Sequence, residues 1–288
     1  MSSPPSHAGS SGSIADGVRL RASDGELSRA AMRERFEGGV AIVIPAYEEQ
    51  ENLAELLPRI PASVCGLPAA VLVVDDGSAD DTSAAASDGG AVVARLPANA
   101  GGGAALRVGY GLVVDAGAEI VVTMDADGQH RPEDLERLVE PVLSGRAQLA
   151  QGSRTVGAAE GGVLVRELGI TVFNRLVGVL TRTRVTDCSN SFRAIRPELL
   201  AELELRQGQF HSVELLIEAI TRGAAIEEVP VRVLERRHGS SKKPAVLGYG
   251  AGFGNAIVST WARSLRRRGA ARAARAASDA LAAERPLR

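Results

Sequence analysis

Asp125 and Asp127 stand one residue apart at the end of the apolar run "AEIVVTM", and Gln129 follows two residues on. Two carboxylates that close repel each other unless a cation lies between them. Together with the amide oxygen they form a hard, oxygen-rich ligand set, which suits Mg²⁺ or Mn²⁺ and not zinc. Such ions keep positions open for substrate phosphates. The plainer alternative is a capped, solvated turn, because Asp and Gly are frequent in turns. A second acidic pair, Asp75-Asp76, ends the run "AVLVV" and precedes Gly77. A carboxylate there can accept hydrogen bonds from a base or a ribose, or simply cap a helix.

Positive charge comes from the segment "ERRHGSSKK", which places Arg236, Arg237, His238, Lys242 and Lys243 around Gly-Ser-Ser. A basic loop of that kind suits a lid closing over phosphates, although a solvated surface turn has the same composition. "NAGGGAALRVG" (99–109) opens a helix through a glycine cluster. It lacks the Lys-Ser/Thr of a Walker phosphate loop, so a tight turn with close helix packing is the expected role.

These residues need a frame. Short apolar runs at 40–45, 69–78, 91–96, 118–124 and 147–154 read as strands, separated by segments of helical periodicity. Near-continuous apolar strands alternating with helices define a mostly parallel sheet covered on both faces. In such sheets ligands gather at the carboxyl ends of the strands. The loops at Pro45–Glu49, Asp75–Ser78 and Asp125–Asp127 are thereby brought to one rim. After Asp127, Pro132 suits a first helical position, and Leu135, Leu138, Val139 and Val142 form one apolar face. The second half reads as a helix around 164–180, a strand at "SFRAI", a helix around 212–222 and a strand at 226–235.

Bulk properties exclude several classes. Aromatic residues make up only 3%, too few for stacking single-stranded nucleic acid, and the net charge of −2 excludes a general polyanion binder. The segment Arg263–Arg288 is locally basic, with eight Arg against Asp279 and Glu284. It reads as a solvated tail or as a surface for acidic lipid or phosphate. Cys65 and Cys188 show no metal or disulfide spacing, which fits a reducing compartment. The Ser/Gly/Pro-rich start is not a signal peptide, and no stretch is apolar enough to span a membrane. Three regions follow: a flexible arm over 1–37, a main domain over 38–245, and an amphipathic helix with a basic tail over 246–288.

The segments "VIPAYEEQENL", "VVDDGSADDT", "NAGGGAALRVG", "VVTMDADGQHRPEDL", "QGSRT", "TDCSNSFRAIRPELL" and "IEEVPVRVLERRHGSSK" occur in that order. In this they resemble family 2 glycosyltransferases, above all the dolichyl- and polyprenyl-phosphate sugar transferase branch. The likeness covers roughly residues 39–245. It implies an α/β, GT-A-like fold with a mostly parallel central sheet and helices on both faces. Pro45, Tyr47, Glu49, Val74 and Asp76 match positions that hold the base and ribose of a nucleotide sugar. Asp125 and Asp127 match the pair that holds Mg²⁺ or Mn²⁺, with Gln129 as a further ligand and Ala126 against the nucleotide. Arg154 matches a phosphate or sugar contact. Ser191, Phe192 and Arg193 match a motif near the acceptor and the donor sugar. Arg236 and Lys242 match two basic residues that grip the diphosphate from a lid. Two departures stand out: Gly102 where many relatives carry a polar residue, and Asn190 in place of a glycine.

The expected activity is inverting, metal-dependent transfer of a hexose from GDP-mannose or UDP-glucose to a polyprenyl or dolichyl phosphate. A phosphate acceptor is already anionic and needs no strong base, whereas a hydroxyl acceptor requires one. Glu214 and Asp187 are the candidates for that base. A hydroxyl acceptor in cell-wall or polysaccharide synthesis, and a nucleotide-sugar-binding protein without turnover, are the alternatives. The expected location is cytoplasmic, peripheral at the inner face of a membrane through the Arg-rich helix, with no nucleic-acid partner.

Overall fold

The structure, a computed structural model, describes residues 18–23, 25–154, 164–236, 238 and 246–283. Its centre is a ten-stranded mixed sheet. Four strands form the parallel heart: β3 (Val40–Ala46), β5 (Leu67–Asp75), β6 (Val92–Arg95) and β7 (Ile120–Thr123). β3 lies between β5 and β7, and β6 flanks β5. On the far side of β7, β9 (Arg193–Ile195) runs antiparallel between β7 and β8 (Leu149–Ser153). β10 (Ile226–Pro230) closes that edge parallel to β8.

The apolar runs form strands because both faces of the sheet are covered. Residues 41, 43, 72, 74, 92 and 94 pack beneath α4 (Gly102–Asp115), while Ile42, Ile44, Val73 and Val93 pack in the opposite layer. That second layer includes α5 (Leu135–Leu143), entered through a 3₁₀ turn at Pro132–Asp134. Leu135, Leu138, Val139 and Val142 are all fully buried, as their helical spacing implies. α2 (Gln50–Leu56) and α3 (Thr82–Asp88) follow β3 and β5. α6 (Leu164–Thr181), α7 (Pro197–Glu202), α8 (His211–Arg222) and α9 (Val246–Ala283) complete the helical shell.

The chain from residue 18 to 36, expected within a flexible arm, is part of the fold. β1 (Arg19–Ala22) pairs antiparallel with β6 and with β2 (Gly25–Glu26). α1 (Arg29–Phe36) follows, with Ser28 capping its start by accepting the Ala31 N–H at 3.2 Å. Leu20, Ala22, Met32 and Phe36 bury their side chains, and that burial anchors the segment. A two-residue strand, β4 (Ser63–Val64), adds to β5.

The last strand is shorter than its sequence pattern. After Pro230 the chain leaves β8 and crosses towards the end of β7, where Leu234 N–H donates to Gln129 O at 2.9 Å and Val233 bridges His130. The 38-residue α9 is packed on the domain as far as Arg267. Phe253, Ala256, Ile257, Thr260 and Ser264 are buried, and Arg263 and Arg267 pair with the buried Glu214 and Glu218 of α8. Among the described residues no helix is long and apolar enough to cross a membrane.

Candidate functional site

The carboxyl ends of β3, β5 and β7 meet at one rim, as parallel strands require. Their loops are braced before they present anything. Asp75 is fully buried; it accepts the Ser78 N–H at 2.8 Å, the Arg95 guanidinium at 2.6 Å, and the Ser83 hydroxyl. Asp76 accepts the N–H groups of Ala100 and Gly101, both at 2.8 Å, which ties the glycine cluster to the end of β5. Burial raises its carboxyl above the ordinary value, partly offset by those two amides. Gly77 is required here: its φ is +75°, and a Cβ would lie 2.7 Å from the Ala98 carbonyl carbon. Gly103 is needed for the same reason of space, because a Cβ would lie 2.0 Å from Gln207 O. The loop before α8 therefore rests on the start of α4, with Gly103 N–H donating to Gly208 O at 2.7 Å.

Beyond β3, Glu48 takes a left-handed backbone (φ 53°), an uncommon conformation for a non-glycine residue. Its N–H donates to Ser78 Oγ, and the Glu49 N–H to Thr82 Oγ1, each at 2.9 Å. These bonds hold Glu49 towards the rim, where its Oε2 accepts from Asn52 at 2.6 Å. Pro45 and Tyr47, in the same loop, are half-buried.

Asp125 and Asp127 leave β7 on this rim. Asp125 Oδ2 accepts from Ser191 Oγ at 2.7 Å, and its backbone N–H donates to His130 Nδ1 at 3.0 Å. Asp127 Oδ1 accepts the Gln129 N–H at 3.1 Å. Gln129 spends its amide nitrogen on Leu234 O at 2.9 Å, so its side-chain oxygen is not needed for that bond. Arg236 Nη2 lies 3.1 Å from Glu49 Oε1 and 3.3 Å from Asp127 Oδ2, a cation of the chain itself drawn to the acidic rim. Among the described residues no cluster of three or more His, Cys, Asp or Glu could hold a metal alone. Two carboxylates and an amide oxygen on one loop nevertheless match Mg²⁺ or Mn²⁺ chemistry, in which substrate phosphates and water complete the shell.

Beside this rim lies a second polar group. Arg154, after β8, grips Asp187 in a two-point ion pair, Nε to Oδ2 at 2.7 Å and Nη2 to Oδ1 at 2.8 Å, and reaches Ser189 Oγ at 2.7 Å. Burial pulls the Arg154 pKa down, but the Asp187 pairing outweighs it and the net shift is upward. Arg193 is a fully buried side chain on β9 whose pKa burial lowers to about 10. Its Nε and Nη2 have no hydrogen-bond partner among the described residues.

Several expected site residues lie elsewhere. Glu214 is enclosed in the protein interior. It is fully buried in α8, where Oε2 accepts the N–H groups of Arg206 and Gln207 at 2.8 and 2.7 Å and Oε1 pairs with Arg263 at 2.6 Å. A carboxylate so engaged braces the loop before α8 against α9. Asp187 is similarly occupied by Arg154. The Val74 side chain points into the core beneath Gly109 of α4, because strand alternation turns it away from its neighbours' face. Ala126 is buried in the opposite core layer. Lys242, Lys243 and Arg237 lie outside the described residues. Sequence reasoning passed over His130, which is 4% exposed and stacked on Phe192 at 4.8 Å between ring centroids. Its only sequence signal is its place within "DADGQH".

The fold places a polar rim at the strand ends of an α/β sheet, and comparison with known proteins defines the class. Residues 41–204 match the model of glycosyl transferase family 2. The chain belongs to that family and is a glycosyltransferase. It is 34% identical over 213 residues to the polyprenol monophosphomannose synthase of Mycolicibacterium smegmatis, covering 70% of this chain and 79% of the relative. It is 32% identical over 232 residues to the dolichyl-phosphate hexose transferase of Haloferax volcanii, covering 79% and 96%. Among solved structures it is similar to glucosyl-3-phosphoglycerate synthase of Mycobacterium tuberculosis in complex with Mn²⁺ and UDP-glucose. The TM-score there is 0.62 at 25% identity, covering 82% of this chain and 84% of that one. The GT-A-like α/β architecture expected from the sequence is the one observed.

Proposed function

We propose that this glycosyltransferase moves a hexose, with inversion, from GDP-mannose or UDP-glucose to a polyprenyl or dolichyl phosphate. The observation that carries the reading is the rim itself: Asp125, Asp127 and Gln129 at the end of β7, with Arg236 laid against Asp127 and Glu49. The names of the two sequence relatives support a lipid-phosphate acceptor, and the Mn²⁺ of the structural neighbour supports a divalent ion.

In this reading Asp125 and Asp127, with Gln129, hold Mg²⁺ or Mn²⁺, which when bound supplies Lewis-acid neutralisation of the departing diphosphate. Pro45, Tyr47, Glu49 and Asp76 line the place for the base and ribose, with the backbone at Val74 and Ala126 beneath. Arg236, with Lys242 six residues on in the sequence, adds positive charge where negative charge develops. Arg154, preorganised by Asp187, and Arg193 face the acceptor side. Glu214 and Asp187 are both committed to arginines and amides, which favours an acceptor that brings its own anionic oxygen. The hydroxyl-acceptor alternative needs a base, and both of these carboxylates are engaged by arginines and amides.

The lipid acceptor implies a membrane within reach. Val258 and Leu265 of α9 are exposed, 48% and 43%, and so are the neighbouring Arg266 and Arg268. Apolar side chains beside arginines suit a peripheral contact with an anionic leaflet.

A matrix of labelled nucleotide sugars against acceptors tests the proposal. Polyprenyl phosphate should become glycosylated and soluble hydroxyl acceptors should not. Transfer to hydroxyl acceptors alone would move the assignment to the alternative.

A further inference from the structure

We propose that His130 is a positioning residue that aims the Asp125 carboxylate. The inference rests on the reading that Asp125 faces the donor's divalent ion. His130 is buried, and its ring lies nearly parallel to Phe192, with an interplanar angle of 13°. Its Nδ1 accepts the backbone N–H of Asp125 at 3.0 Å. That bond places the proton of the neutral ring on Nε2. Nε2 lies 3.9 Å from Asp125 Oδ2, too far for a direct hydrogen bond. The ring therefore acts through the Asp125 backbone and leaves the carboxylate oxygens to other partners.

Three elements converge on this imidazole. Asp125 precedes it on the β7 loop. Phe192, beneath the ring, adjoins Ser191, whose hydroxyl donates to Asp125 Oδ2 at 2.7 Å. Val233 bridges His130 from the segment that leads to Arg236. His130 thus joins the acidic loop, the residues that lead into β9 and the segment that delivers Arg236. Satisfying its own burial would require only some partner; the partner it has is the amide of the first rim carboxylate. Outer residues that fix a ligand's direction shape affinity for the ion the ligand holds.

The test compares three variants of the full chain. His130→Asn keeps an acceptor near the Nδ1 position, His130→Leu has similar size without one, and His130→Phe keeps the stack without the acceptor. Mn²⁺ binding is measured by titration in the presence of GDP or UDP, beside melting temperatures and the kcat and KM for donor. His130→Leu and His130→Phe should each weaken Mn²⁺–nucleotide binding at least tenfold, while His130→Asn stays within threefold of wild type. If His130→Leu fails to fold, His130→Phe carries the comparison with His130→Asn. Equal Mn²⁺ affinity in the folded Asn variant and the acceptor-less variants would overturn the proposal and leave the donor-site reading standing. Absence of Mn²⁺–nucleotide binding by the wild-type chain would overturn the donor-site reading and this proposal with it.

Discussion

Arg236 and Asp127 are in contact, Nη2 to Oδ2 at 3.3 Å, although the sequence separates them by more than a hundred residues. The contact exists because the chain leaves β8 after Pro230 and pairs with the Gln129–His130 turn. An arginine and a rim carboxylate are thereby joined by the backbone pairing that positions both.

Asp127→Ala should lower turnover roughly a hundredfold or more, the scale of losing one contact that opposes developing charge. The melting temperature should change little, since Asp127 braces no core element. Steady-state nucleotide release and thermal unfolding check this together. An unchanged rate would remove Asp127 from the site.

Glu214 gives the opposite expectation. Glu214→Ala removes the nearest carboxylate from Arg263, which is only 21% exposed and keeps Glu204 O at 3.3 Å, and frees two loop amides. Breaking a buried pair costs about 3–5 kcal/mol, of which a partly exposed arginine recovers some by hydration. At this chain length that means a fall of several degrees, about 2–4 °C per kcal/mol, in melting temperature. The remaining folded enzyme should keep its kcat. A large kcat loss at unchanged stability would restore Glu214 as a base.

The legibility of the chain follows the same division. β3, β5, β6, β7 and β8 could be read because each is an apolar run ended by Pro, Asp, Arg or Ser and covered on both faces. β1 and β4 could not: "RLRA" and "SV" are too short for a period to show, and they exist through pairing with β6 and β5. The rim acids were legible as a motif, since neighbours in sequence carry it. The surroundings of Glu214 were not legible, because its partner, Arg263, comes from another helix. His130 was passed over because a histidine in a loop looks alike in sequence whether it faces water or Phe192.

Cys188 offers a pH test. Burial raises its thiol to about 12 from an ordinary 9.0, with the Asp187 charge adding to the shift. A raised folded pKa favours the protonated form, so its stabilising contribution is complete below pH 9.0 and is lost as pH rises towards 12. Native Cys188 should therefore resist alkylation at pH 8 and react only on unfolding, as peptide mass mapping would show. Rapid labelling of Cys188 in the native chain would contradict its placement.

Arg154→Ala should act at the acceptor side. It leaves Asp187 buried and unpaired, so stability falls, and the KM for acceptor should rise more than that for donor. Kinetics with each substrate varied in turn separate the two. An effect confined to the donor KM would place Arg154 on the nucleotide.

Transfer to a lipid phosphate from the rim at Asp125 and Asp127 should depend on a divalent ion. Release of nucleoside diphosphate from GDP-mannose and from UDP-glucose, followed with and without polyprenyl phosphate, tests it most directly. Release from one of these donors should require both polyprenyl phosphate and Mg²⁺ or Mn²⁺, stop in EDTA and return when the ion is restored. Undiminished release in EDTA, or release indifferent to polyprenyl phosphate, would contradict it.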